Sequence, residues 1–130
     1  MTEPVLTIEL AQPQRWPSAN DRTHYMATHR LVCYWQDRAA EAVKAQMRGR
    51  PPFERVRIQV TLCVPTRRRL DPGNYASPLA KALIDGATRA GLVEDDDWRH
   101  VVGPDMRHEH TPNRKFIRID VYDLTEGEQS

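Results

Sequence analysis

Residues 55–64, RVRIQVTLCV, constrain the fold more than any other stretch of the chain. Val56, Ile58, Val60, Leu62 and Val64 alternate with Arg55, Arg57, Gln59, Thr61 and Cys63, so a β-strand places all five aliphatic residues on one face, and that face has to be buried. A second alternation, Leu6, Ile8 and Leu10, predicts a shorter strand over residues 5–10. It runs into a loop rich in Pro and Asn over residues 13–20.

Between these strands the period changes. Leu31, Val32, Trp35, Ala39, Ala42, Val43 and Met47 recur at helical spacing, while Arg38, Glu41 and Lys44 fall elsewhere on the wheel, which predicts an amphipathic helix over about residues 23–48. Gly49 and the Pro51-Pro52 pair end it. A second helix is expected after Pro72, with Ser77 as a cap and Pro78 in its first turn. It carries Leu79, Leu83, Ala87 and Ala90 towards the core and stops at Gly91. Residues 99–109 and 114–122 read as two further strands, forming a hairpin through the turn at residues 110–113. The order β-α-β-α-β-β predicts an α+β domain: a small mixed β-sheet with two helices packed on its apolar face.

With 130 residues there is room for one hydrophobic core, expected over residues 1–124, with residues 125–130 a loose, disordered polar tail. No apolar run approaches the ~20 residues of a membrane span, and no signal sequence is readable at the N-terminus, so a cytoplasmic protein without membrane association is expected. Cys33 and Cys63 are far apart and form no CxxC pair, which excludes a disulfide framework and a zinc knuckle. The five histidines include no HExxH pattern, although His108 and His110 share one side of a strand. The formal net charge of +1 hides a basic block, Arg67, Arg68 and Arg69, and an acidic one, Glu94, Asp95, Asp96 and Asp97.

The chemistry concentrates between those two blocks. Asp71 stands where a strand ends, and Asp95 and Asp96 stand just beyond the helix that returns from it. Carboxylates held ~5 Å apart repel by roughly 3 kcal/mol at an effective dielectric near 20, so a cluster of them requires a cation, a shared proton or full hydration. Mg²⁺ is hard, prefers oxygen, and commonly takes one or two carboxylates together with a substrate phosphate. Each feature also has an ordinary reading. Asp71-Pro72-Gly73-Asn74 is a good β-turn, Lys81 and Asp85 form an i, i+4 helix pair, the acidic run makes a solvated loop, and an Arg triplet can be a solubilising strand end. Trp16, Trp35 and Trp98 read first as core or interface residues; Trp98, directly after the acidic run, is the one placed to meet a substrate.

Taken together, Arg68, Arg69, Asp71, Asn74, Lys81, Asp85, Gly91, Asp95 and Asp96 resemble the pattern of the RusA-type Holliday-junction resolvases: an Arg-rich strand end, an Asp-x-Asp-Asn turn, a helix with Lys and Asp four residues apart, then Gly and a paired Asp. The segment with Asn20, Asp21, Arg22 and His24 resembles the family's N-terminal Asn-x-Arg stretch, so the likeness covers about residues 5–123. It implies a RusA-like fold and a Mg²⁺-dependent endodeoxyribonuclease, with Mn²⁺ as a substitute metal and no small-molecule cofactor, that cuts four-way DNA junctions in recombination and repair. It further implies a homodimer with one site per subunit, encoded by a bacterium or a phage. Asp71, Asp96 and Asp95 would be catalytic residues and metal ligands, and Lys81 would contact the scissile phosphate. Arg67, Arg68, Arg69, Asn74 and Arg22 would hold the DNA backbone. The departure is Gly73, which stands where the family has its second Asp. The alternative it opens is a branched-DNA-binding protein with impaired cleavage, unless Glu94 or Asp97 replaces the missing carboxylate.

Overall fold

A computed structural model describes residues 3–11, 14–21, 25–67 and 70–124. The elements follow in the order β1 (Leu6–Leu10), α1 (Tyr25–Met47), β2 (Val56–Val64), α2 (Lys81–Arg89), β3 (Val101–His110) and β4 (Phe116–Asp123). The expected tail at residues 125–130 lies outside the described residues.

The four strands form one mixed sheet in the order β1-β4-β2-β3, antiparallel except for the parallel β2/β3 pair. Register alignment puts Ile8, Ile119 and Val60 in one row across three strands, with Leu6, Val121 and Ile58 in the next. These side chains are buried, and Trp35, Val43, Leu79, Leu83 and Ala87 of the helical layer join them in one core. The apolar alternation of β1 and β2 therefore becomes the helix-covered face, as its period requires.

The far side of β2 departs from simple alternation. Thr61 and Cys63 are also buried, because β2 is an interior strand whose outer face lies between Arg118 and Phe116 of β4 and Arg107 and Glu109 of β3. Arg118 pairs with Glu109 at 3.1 Å and Asp120 at 3.4 Å across this face.

The expected hairpin does not form. β3 and β4 are consecutive, yet β4 enters the sheet between β1 and β2 while β3 lies on the other side of β2. Composition explains the exchange. In β4, Phe116, Ile117, Ile119 and Val121 are buried and suit an interior position, whereas only Val101 of β3 is buried, as befits an edge. The turn itself survives: the Arg114 amide donates to the Thr111 carbonyl, and the Thr111 amide caps the end of β2 at the Val64 carbonyl. Within β3 the register slips between Arg57 and Gln59 of its neighbour, where Gly103 takes φ +119°. A Cβ there would lie 2.6 Å from the Ile58 carbonyl oxygen, so glycine is what permits the bulge.

The segment before α2 also differs from a plain helix. A 3-10 turn, Pro72–Tyr75, is followed by an irregular helical segment, Ala76–Ala80, inside which Ser77 is extended. No side-chain cap bond is made by Ser77 at the start of either. The end of α2 is as expected: the Leu92 amide donates to the Ala87 carbonyl and the Gly91 amide to Thr88, with Gly91 at φ +96°, a Schellman stop.

Candidate functional site

The candidate residues lie on three segments: the turn after β2, the first turn of α2 and the loop between α2 and β3. The first is the Asp71 turn. Asp71 accepts a hydrogen bond from the Gly73 amide through Oδ1 at 3.1 Å and caps the 3-10 turn, while its carbonyl receives the Asn74 amide. The Asn74 carbonyl in turn accepts from the Ala19 amide at 2.8 Å, and Trp16 meets Tyr75 edge to face at 6.1 Å. The described part of the expected Pro/Asn-rich loop, residues 14–20, is thus docked on the Asp71 turn, with Arg15 and Asp21 in an ion pair beside it. Arg22 and His24 lie outside the described residues, as do Arg68 and Arg69. Arg67 is exposed just past the end of β2.

The second and third segments meet each other. Lys81, at the first turn of α2, places Nζ 3.0 Å from Asp85 Oδ1 one turn along the helix and 3.1 Å from Asp96 Oδ2 in the loop after it. Asp95 Oδ1 accepts the Asp96 amide at 2.7 Å, fixing that loop locally. Asp85 and Asp96 thus share the Lys81 ammonium. Burial, followed by the neighbouring Asp96 side chain, pushes the Asp85 carboxyl above its ordinary range, while the Asp85 side chain and then the bond to Lys81 hold Asp96 below it. Of the two carboxyls, Asp85 is thus the more readily protonated and Asp96 the less. The bonds to both carboxylates raise the Lys81 ammonium in turn.

An ammonium is one device that lets carboxylates share a site, and a divalent cation is another. The donor set is all oxygen and suits a hard ion such as Mg²⁺. Within the described residues the convergence is of two carboxylates and Lys81: no group of three or more His, Cys, Asp or Glu side chains is arranged to hold a metal ion, and no hydrogen bond joins Asp71 to Asp85, Asp95 or Asp96. Asp85 joins Lys81 and Asp96 in this cluster, although the sequence reading did not count it among the site residues. Its signal was the four-residue spacing from Lys81, which read equally as a surface pair.

The rest of the acidic run divides. Asp97 turns away from the cluster: Oδ2 receives the Arg99 guanidinium at 2.8 Å, and Oδ1 receives the Arg99 amide at 3.0 Å and lies 2.7 Å from His100 Nδ1. The Arg99 and His100 contacts lower its carboxyl to about 2. A carboxylate so engaged closes its own turn. Glu94 is exposed. Of the histidines, His110 Nε2 contacts the Pro65 carbonyl and His100 serves Asp97, so neither shares a partner with the other.

Stability does not account for the cluster. Lys81 is 63% exposed and the two carboxylates about one third, and ion pairs of that exposure contribute only about 0.2–1 kcal/mol. No protein-family model matches the chain, and no curated protein is significantly similar to it.

Proposed function

We propose that this chain is a Mg²⁺-dependent, structure-selective endodeoxyribonuclease that resolves four-way DNA junctions, working as a homodimer. The observation that carries the reading is the contact of Lys81 Nζ with both Asp85 and Asp96, which joins the helix and the loop of the RusA-like pattern at one half-exposed point. The element order β-α-β-α-β-β is compatible with a RusA-like fold.

Each side chain then has a task. Asp96, charged and open to solvent, is the first metal ligand, with Asp85 beside it and Asp95 holding the loop through the Asp96 amide. Asp71 approaches from the turn after β2 as a further ligand. A bound Mg²⁺ would supply an acidified water for attack on phosphorus and neutralise the leaving oxygen. Lys81, which now binds both carboxylates, would contact the scissile phosphate. Arg67, Arg68, Arg69, Asn74 and Arg22 hold neighbouring phosphates, which positions the duplex without reading its sequence. Two opposed strands of a junction have to be cut, and a two-fold pair of subunits does this with one site each.

A second reading has its own observation. Gly73 offers its amide to Asp71 and contributes no carboxylate, so the ligand set is one short of the family pattern. In that case the protein binds branched DNA and does not cut it. Cleavage of a synthetic four-way junction and of linear duplex of the same sequence, in Mg²⁺, by the native chain and by Gly73→Asp decides between them. The first reading expects junction cleavage by the native chain. Cleavage by Gly73→Asp alone would support the impaired binder, and no junction binding by either would overturn both. An added Cβ at residue 73 meets Asp71 Oδ1 at 3.3 Å, close enough that the new carboxylate lies beside Asp71 and distant enough for that exposed side chain to yield.

A further inference from the structure

Trp98 is the most exposed large apolar residue described, at 78%, while Trp16 and Trp35 are buried at 7% and 0%. An indole left in water contributes little to folding, and this one is held out by a well-braced turn. The His100 and Val101 amides both donate to the Asp97 carbonyl, at 3.0 and 2.9 Å, and the Asp97 carboxylate binds Arg99 and His100 as described above. The His100 carbonyl then receives the Val56 amide at 2.8 Å, which ties the turn to the first residue of β2. The ring is thus presented from a closed turn anchored to the sheet, the preorganisation that a contact residue requires.

Position supplies the ligand. Trp98 follows Asp96 by two residues, at most ~7 Å of backbone, which is about two base steps of ~3.4 Å along a strand. We infer that Trp98 is a stacking platform for a nucleobase whose face is uncovered at the branch point, one or two steps from the phosphate at Lys81. The inference rests on the proposed endonuclease reading and adds to it the residue that separates a junction from continuous duplex: inside duplex both faces of every base are covered, whereas at a strand exchange point a base can lose a stacking neighbour. Asp97, which sequence reasoning left as a spare ligand, is then the positioning residue for Trp98.

The test is binding of a fluorescently labelled four-way junction, followed by anisotropy in EDTA so that no cleavage intervenes, with linear duplex in parallel. Trp98→Ala is expected to bind the junction roughly 5- to 100-fold more weakly, the range of aromatic–base stacking, with duplex affinity and the dependence on salt unchanged, because no phosphate contact is lost. Trp98→Phe restores most of the junction affinity. In the native chain Trp98 is the tryptophan open to acrylamide, and junction but not duplex shields it. If the native chain prefers junction over duplex and Trp98→Ala does so equally, the inference falls and the endonuclease reading stands. If the native chain shows no such preference, both fall. Shielding of Trp98 in the free protein, rising with protein concentration, would assign the ring to a contact between copies and also overturn the inference.

Discussion

At the scale of single residues the informative fact is the unequal sharing of charge between Asp85 and Asp96. Asp85 is raised, mainly by burial, and Asp96 is lowered, mainly by the Asp85 side chain. A metal that binds both requires Asp85 ionised, so Mg²⁺ affinity is expected to rise with pH until Asp85 has titrated and then to level off. Calorimetric titration with Mg²⁺ across pH checks this, and an affinity independent of pH, or one falling as pH rises, would remove Asp85 from the binding set. Stability has the opposite sign for the two groups. The lowered Asp96 contributes above its ordinary carboxylate pKa and loses that contribution as pH falls through its folded value. The raised Asp85 contributes below its ordinary value and loses it as pH rises through the folded one. Asp71, Lys81, Asp95 and Asp96 stood out in the sequence as candidates because like charges rarely gather without reason. What the sequence did not carry was the direction of each carboxylate: Asp95 faces its own loop backbone and Asp97 faces Arg99 and His100, although the two flank Asp96 identically in the chain.

Among the elements, the α1/α2 contact sets where the site stands, since α2 carries Lys81 and Asp85. Gly86 lies against α1 so closely that a Cβ would sit 2.1 Å from the Gln36 carbonyl oxygen and 3.1 Å from the Ala40 amide nitrogen. Backbone cannot yield as a side-chain tip does, so Gly86→Ala is expected to cost about 3 kcal/mol, at the upper end of ordinary overpacking. Urea denaturation measures it; an unchanged midpoint would mean that the helices are not in backbone contact. The strands and helices themselves were readable from periodicity, because the five alternating aliphatics of β2 and the helical repeat of α1 each admit one period. Strand neighbours were not. Residues 99–122 look like a hairpin locally, and what parts β3 from β4 is the competition for the interior of the sheet, which the aliphatic row of Ile117, Ile119 and Val121 wins over the polar β3. The extended Ser77 escaped for a similar reason: Ser followed by Pro reads as a helix start, and the irregular path around it is set by packing of Leu79 and Ala80 into the core.

For the molecule as a whole, the sheet divides two environments. One face is sealed by the helices. The other carries charges that answer each other, Arg118 with Glu109 and Asp120, Arg107 with Asp105, Arg114 with Glu9. The half-exposed Lys81 cluster joins the first turn of α2 to the loop that follows that helix. No helix among the described residues is long and apolar enough to cross a membrane. The proposal that this cluster cuts branched DNA is tested most directly by Mg²⁺-dependent cleavage of a four-way junction by the native chain, Asp96→Asn, Asp85→Asn and Lys81→Met, each first checked by thermal melting. Because exposed ion pairs contribute about 1 kcal/mol or less, all three variants are expected to fold. The account predicts that the native chain cuts the junction, that Asp96→Asn and Lys81→Met do not, and that Asp85→Asn requires roughly 10- to 100-fold more Mg²⁺, the usual effect of losing a group that supports a metal. Folded variants that cut as fast as the native chain at the same Mg²⁺ concentration would contradict it.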